Sequence, residues 1–475
     1  GKVYLGIHPL EEFLAIGQSL GNDDYATITY TSGTTADPKG VILTHRNYTA
    51  NVEQALTCVD IDDTWRTLVI LPLDHCFAHV VGFYIFMSKG ASVATVQVGR
   101  TGMETLKNIP INIKEFKPYL ILSVPALAKN FKKNIEQGIR VRGKNAARLF
   151  NLALRIGYIY NGDSDEEEGK GFRVFLKPLI RLFDKLLFTK VRENFGGELK
   201  FFIGGGALLD KDLQKFYYAL GIPMYQGYGL SEATPIISTN GPRRHTFGSS
   251  GVLVRPLDLK ICDMGGNGLP PGEKGEIVIR GENVMAGYWK NPASTADTVK
   301  EGWLYTGDMG YMRDGLLYVL GRFKSLLIGS DGEKYSPEGI EEALVEHSSC
   351  IDQLILYNNQ SPYTTALLVP NKERLRKHLA HQSLDLSSDQ GREEAIRTIQ
   401  RQIDRFRKGG DLSSMFPDRW LPTTFAILPE PFTEQNGMVN STMKIVRGKV
   451  EKAYAARIAQ LYTPCLLYTS PSPRD

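Results

Sequence analysis

The stretch Tyr30-Thr31-Ser32-Gly33-Thr34-Thr35-Ala36-Asp37-Pro38-Lys39-Gly40-Val41 restricts the fold of this chain more than any other. It follows a strand-like run, Ala26–Tyr30, and its small hydroxyl-bearing and glycine residues let backbone N–H groups turn inward around an anion. Lys39 adds a point charge within reach of the same anion, and phosphate is the natural guest. Surface turns share this composition, so the loop by itself leaves both readings open. It is not a Walker A loop, which needs Gly-Lys-Ser/Thr at the start of a helix; here Pro38 precedes Lys39 and Gly40-Val41 follows.

A chain of 475 residues with 42% hydrophobic content can bury more than one core, so two or more domains are expected. The net charge of +4 is small for this length, and no basic run interleaved with aromatics points to nucleic acid. Five scattered cysteines without a CxxC pair favour a reducing, cytoplasmic setting with neither a disulfide frame nor a zinc site. No apolar run reaches transmembrane length; the stretch Val80–Met87 stops at Ser88-Lys89-Gly90. The first residue is Gly and the loop arrives almost at once, so the chain is expected to be a fragment without its N-terminus. At the other end, Cys465–Asp475 looks like an in-frame translation of a sequencing adapter and is expected to be non-native.

Thr44-His45-Arg46-Asn47 offers a helix start, with Thr44 or Asn47 as cap, running toward Leu56. Val69–Leu73 reads as a buried strand ending in Asp74–His79. Ligand groups gather at the carboxyl ends of such strands, and His75 is either one of them or a structural loop residue. Val93–Val96 and Leu120–Pro125 repeat the strand pattern around a helical stretch near Leu106, predicting a largely parallel sheet covered on both faces.

From about Ala126 to Glu198 the pattern is helical, interrupted by the polar segment Gly162–Lys170. Within it, Phe172–Phe195 spaces Phe175, Leu176, Leu179, Ile180, Phe183, Leu186, Leu187 and Val191 among Arg173, Lys177, Arg181, Lys185, Lys190 and Arg192. Such a basic amphipathic helix suits an anionic membrane surface, and it equally suits packing on its own domain.

Phe201–Ile203 runs into Gly204-Gly205-Gly206-Ala207-Leu208, and Pro223–Gln226 into Gly227-Tyr228-Gly229-Leu230-Ser231-Glu232. Two strand-to-glycine junctions can bring backbone edges against a flat ring, or can be tight turns. Beyond Gly241, short strands and Pro/Gly turns predict a β-rich subdomain. Ser336-Pro337-Glu338 reads as a helix start with serine as cap. The strands Leu354–Tyr357 and Thr365–Val369 open a small α+β domain.

Taken in order, Tyr-Thr-Ser-Gly-Thr-Thr (30–35), Gly-Tyr-Gly-Leu-Ser-Glu (227–232), Tyr-Thr-Gly-Asp (305–308) and Gly-Arg-Phe-Lys (321–324) resemble the adenylate-forming superfamily of acyl-CoA synthetases, adenylation domains and luciferases. The resemblance runs from Tyr25 to about Val450. It is closest to the long-chain fatty acyl-CoA synthetases, through the helical insertion before Gly204, the turn Asp331–Pro337 and the Asn-Gly-x-x-Asn-Ser-Thr-x-Lys ending at Lys444.

That resemblance implies an α/β fold: a large N-terminal domain (1–321) of parallel-rich sheets with helices plus a β-rich subdomain, a hinge (322–325) at Lys324, and a small mobile α+β C-terminal domain (326–464). It implies ATP, Mg²⁺ and CoA, with a fatty acid activated to acyl-AMP and passed to CoA. Thr31, Ser32, Gly33, Thr34, Thr35 and Lys39 would hold the β- and γ-phosphates. Glu232 and Ser231 would hold the metal, and Gly205, Gly206, Ala207, Tyr228 and Gly229 the adenine. Asp308 and Arg322 would meet the ribose, Lys444 the α-phosphate and carboxylate, and His75 would stand between acyl channel and reaction centre. An acyl-carrier-protein ligase and a non-catalytic fatty-acid sensor or scaffold of the same fold are the alternatives. Peripheral membrane contact is compatible with each.

Overall fold

The computed structural model describes residues 10–31, 38–162, 171–263, 265–439 and 445–463. The described chain forms two compact units, one ending at Val319 and the other starting at Leu320. The segment 163–170 and the suspected tail both lie outside the described residues.

In the first unit β1 (Tyr25–Thr31) and β2 (Lys39–Thr44) form a hairpin with Thr31 opposite Lys39. Thr44 then caps the helix His45–Leu56: its hydroxyl accepts from Asn47 N while Asn47 accepts from Thr44 N. The two candidate caps thus form one reciprocal capping box.

The next strands are β3 (Arg66–Val69), β4 (Ser92–Thr95), β5 (Leu120–Ser123), β6 (Phe201–Gly204), β7 (Met224–Gly229), β8 (Ile236–Thr239) and β9 (Val252–Leu253). Among the described residues they form a sheet ordered β4-β3-β5-β6-β7-β8-β9, parallel from β4 to β7 and antiparallel at β8 and β9. The strand expected over Val69–Leu73 lies earlier, at Arg66–Val69. Pro72 has no N–H to give a ladder, and the chain leaves the sheet before reaching it.

The central strands read as unbroken apolar runs because both their faces are buried. Leu120, Leu122, Phe201 and Ile203 face one core with the helix His45–Leu56, whereas Ile121 and Phe202 face another. That second core belongs to a helical layer with Ile113, Phe150, Phe183, Phe188 and Val191. The layer comprises the helices Gly102–Phe116, Pro125–Val141 and Lys144–Asn161 and a continuous helical run from Lys177 to Glu193.

The β-rich part follows as β10 (Asp258–Cys262), β11 (Gly275–Arg280), β12 (Gly287–Tyr288), β13 (Val299–Lys300), β14 (Trp303–Arg313) and β15 (Leu316–Arg322). β12 pairs with β2, bringing Tyr288 opposite Val41. The remaining strands form a sheet ordered β10-β11-β14-β13, with β15 beside β14.

The second unit contains β16 (Leu327–Gly329), β17 (Lys334–Tyr335), β18 (Ile351–Tyr357), β19 (Asn359–Ser361), β20 (Thr365–Pro370) and β21 (Thr424–Ile427). Helix Glu338–Glu346 begins one residue later than the sequence suggests, and Ser336 does not cap it. Instead, Ser336 Oγ lies against Gly321, within 2.5 Å of where a Cβ there would stand. A half-buried ion pair, Arg447–Glu341 at 2.6 Å, fixes the helix Arg447–Ala453 to the helix Glu338–Glu346.

Candidate active site

The two strand-to-glycine junctions lie side by side, because β6 and β7 are parallel neighbours. Past β6, Gly205 N donates to Ser123 O (3.1 Å), and a Cβ on Gly205 would meet the Phe77 ring at 2.9 Å. Only a glycine lets that ring approach so closely. Buried Gln226 ties the junctions together: its Oε1 accepts from Leu209 N (2.6 Å), and its Nε2 donates to Gly227 O (2.7 Å) and Ala207 O (3.4 Å).

Past β7 the chain doubles back on itself. Leu230 N donates to Pro235 O (3.0 Å), and a Cβ on Gly229 would stand 2.0 Å from that same oxygen. The tight reversal delivers Ser231 and Glu232 on a single helical turn, Ser231–Ala233. Its backbone is braced by Met285 N to Glu232 O (2.9 Å) and Asn283 Nδ2 to Ala233 O (2.8 Å).

Each carboxylate at this site is oriented by a tyrosine. Tyr228 Oη donates to Asp308 Oδ2 (2.7 Å), and Asp308 is buried at the turn in β14 where Gly307 takes a positive φ. Tyr288 Oη donates to Glu232 Oε1 (2.8 Å), and Lys39 Nζ stands 4.8 Å over the Tyr288 ring centroid. Beneath Ser231, Cys76 Sγ donates to Ser231 Oγ at 3.5 Å. Burial, reinforced by the nearby Glu232 charge, pushes the Cys76 thiol up to about 11, so it stays a neutral donor.

His75 caps the short helix Cys76–His79, its Nδ1 accepting from Phe77 N at 3.5 Å. A neutral ring in that arrangement carries its proton on Nε2. The helix continues through a wide π-type turn at Val80–Tyr84, a feature common beside functional sites.

These elements enclose a cleft of about 750 Å³, counting its open mouth. Its lining is mostly apolar, and Leu120, Ile203 and Ile236 of the sheet contribute to it beside two further sets of residues. The helix His45–Leu56, the loop after it and the helical segment 76–88 contribute Ala55, Leu56, Val59, Ile61, Val81 and Ile85. The ends of β6 and β7 contribute Gly205, Gly206, Gly227, Tyr228, Gly229 and Ser231, with His75 alongside.

The donor set fits a magnesium ion shared with phosphate oxygens. A hydrogen-bonded carboxylate and a neighbouring hydroxyl suit that arrangement, whereas an all-protein cage needs more ligands. Among the described residues no three His, Cys, Asp or Glu side chains cluster as a metal site.

The structure thus brings His75, Gly205, Gly206, Tyr228, Gly229 and Ser231 together on one cleft, with Glu232 and Asp308 attached through the turn and Tyr228. Ala207 is reached by Gln226, and Thr31 Oγ1 donates to Lys39 O at 3.4 Å. Arg322 closes β15 and belongs to the second unit, and Lys324 lies in the short turn Phe323–Ser325. Ser32, Gly33, Thr34, Thr35 and Lys444 lie outside the described residues.

Tyr288, Cys76, Phe77 and Gln226 were not singled out from sequence.

Residues 11–289 match the family model for the AMP-binding enzyme, and residues 324–465 match the AMP-binding enzyme C-terminal domain. The chain is 30% identical over 452 residues to the long-chain-fatty-acid–CoA ligase FadD15 of Mycobacterium bovis, covering 94% of this chain and 70% of that protein. It is also 30% identical over 481 residues to the chloroplastic long-chain-fatty-acid–[acyl-carrier-protein] ligase AEE15 of Arabidopsis thaliana, covering 94% and 62%. The chain therefore spans about two thirds of the length of these relatives. The fold is similar to that of O-succinylbenzoate coenzyme A synthetase from Bacillus subtilis in complex with ATP and magnesium, with a TM-score of 0.61 and 21% identity over 91% of this chain and 71% of that one.

Proposed function

The chain belongs to the AMP-binding enzyme family, and from that premise we propose that it activates a carboxylic acid with ATP to an acyl-adenylate and pyrophosphate, then passes the acyl group to the thiol of CoA. The supporting observation is one cleft in which aliphatic side chains adjoin two glycine-edged strand ends. Aliphatic side chains suit an acid tail without polar atoms, and the glycine edges beside Tyr228 suit a flat base.

The first step brings a carboxylate onto a polyphosphate, so like charges must be held together by fixed cations and donors. In this reading Thr31, Ser32, Gly33, Thr34, Thr35 and Lys39 hold the β- and γ-phosphates, and Lys444 steadies the charge that builds at the α-phosphate. Gly205, Gly206, Ala207, Tyr228 and Gly229 flank the adenine. Asp308 accepts from the ribose hydroxyls, and Arg322 is assigned to the same nucleotide. Glu232 and Ser231 hold magnesium, which when bound neutralises phosphate charge. His75 stands where the acid meets the nucleotide.

We read the acid as a long-chain fatty acid, a choice supported by the aliphatic lining and by the name of the FadD15 relative. A second reading, transfer to an acyl carrier protein, is favoured by the AEE15 relative. Pyrophosphate release measured over acids from acetate to stearate tests the first step, and thioester formation with CoA against carrier protein separates the acceptors. Absence of acid-dependent pyrophosphate release with every acid would favour the sensor or scaffold reading instead.

A further inference from the structure

The basic charge of this chain is concentrated in one layer. Residues 102–200 hold 19 Lys or Arg against 11 Asp or Glu, and five of those acids fall in 163–168. The whole chain holds 56 against 52, so outside this layer acids are in excess.

Within the layer, the helical run Lys177–Glu193 has two apolar faces. One buries Phe183, Phe188 and Val191 in the core beneath the sheet. The other leaves Leu182 50% and Leu186 47% exposed, and Phe175, 85% exposed, stands in the short helical segment Gly171–Leu176 just before the run. Core packing explains the first face and leaves the second unexplained. Lys177, Arg181 and Lys185 are also exposed and follow each other at four-residue intervals alongside this ridge. No ion pair among the described residues engages them, and the one acid between them, Asp184, is held by both Nη atoms of Arg192 at 2.6 and 2.9 Å.

A second feature lies toward the end of the same run. Lys190 lines an open hollow with Lys114, Lys117 and Arg142, with Glu193 as its acid. Beside Arg142, Val141 is 83% exposed. Cations around a hollow suit a phosphate group, and exposed apolar side chains next to cations suit the boundary between headgroups and acyl chains.

We propose that this helical layer docks peripherally on an anionic lipid bilayer, with Phe175, Leu182 and Leu186 entering the interface and Lys177, Arg181, Lys185 and the Lys190 hollow meeting headgroup phosphates. No helix among the described residues is long and apolar enough to cross a membrane, so the contact is one of surface. The apolar ridge favours lipid over an acidic protein, for which the cations alone would serve. The proposal is independent of which acid the cleft takes.

The test is sedimentation of the chain with vesicles of pure phosphatidylcholine and of phosphatidylcholine mixed with phosphatidylglycerol. Binding is expected only to the mixed vesicles and should weaken as salt is raised. Lys177→Glu, Arg181→Glu and Lys185→Glu together should weaken it at least a hundredfold, roughly fivefold for each cation lost before counting the acids gained. Leu182→Ser with Leu186→Ser should weaken it about tenfold or more, by loss of buried apolar area, with melting temperature unchanged. Equal binding to both vesicle types, no binding to either, or full binding by the leucine double variant would overturn the proposal. So would capture by an acidic protein that survives the leucine changes while vesicles are ignored.

Discussion

The hydroxyl of Tyr288 stands 2.8 Å from Glu232 Oε1 and holds that carboxylate in one orientation, while the ring of the same tyrosine carries the Lys39 ammonium on its face. A hydrogen bond to a charged group contributes about 1.5–3 kcal/mol. Tyr288→Phe keeps the ring and loses the bond, so the Mg²⁺ concentration for half-maximal adenylation should rise about tenfold or more by that measure, with excess Mg²⁺ restoring the rate. An unchanged magnesium titration would separate Tyr288 from any role at Glu232.

Asp308 and Tyr228 can be told apart by the same logic. Asp308→Ala removes the proposed ribose acceptor and should weaken ATP binding, read by calorimetry, by about tenfold to a hundredfold. Tyr228→Phe only releases one carboxylate oxygen from its partner at 2.7 Å, so its effect should be smaller. Equal losses would mean that Asp308 acts through Tyr228 alone.

Burial lowers the pKa of His79, which stacks on Tyr84 at 4.5 Å and edges onto Tyr48. The folded state then binds its proton less readily than the unfolded state does, so this contribution is intact above about pH 6.5 and is lost as pH falls below it. Denaturant melts of His79→Phe and the parent across that range should diverge, with the parent losing more stability on the acid side. Parallel curves would rule out this histidine as an acid-sensitive point.

Two glycines give opposite expectations. At Gly229 a Cβ would press on Pro235 O at 2.0 Å, so Gly229→Ala should cost about 3 kcal/mol and the turn that presents Glu232. Gly138 sits inside the helix Pro125–Val141 with nothing within 4 Å of a Cβ, and Gly138→Ala should stabilise by about 0.5–1 kcal/mol. Thermal melts of the two variants should shift in opposite directions.

Alkylation mapped by mass spectrometry tests the buried thiol. Cys76 is 1% exposed with its pKa pushed up to about 11, so iodoacetamide at mildly alkaline pH should leave it unmodified until the protein is denatured. Labelling of Cys76 in the native protein would show that the Ser231 turn opens.

The sequence made the order of the elements readable because glycines at strand ends and apolar runs are local signals. Gly205 and Gly229 could be singled out since each follows a strand, and both prove to be places where no side chain fits. Tyr288 was hidden because its partner Glu232 is distant in sequence, and only the pairing of β12 with β2 brings that segment to the hairpin. The helix around Leu182 was ambiguous for a different reason. Periodicity reports a polar and an apolar side, whereas this helix has apolar residues on both its buried and its exposed faces. Pro72 and Ser336 misled by a few residues, as proline neighbours do at element boundaries.

One amide, that of Gln226, fastens both glycine junctions from within the sheet, while Ala55, Val59, Ile61 and Val81 reach the cleft from elements outside it. Ile203 and Ile236 line the same cleft from the sheet, so it is those four positions, and not a whole half of the cavity, that stand apart from the glycine junctions. Substitutions among those four aliphatic positions can re-size the chamber and retune which guest is admitted while the nucleotide end keeps its shape.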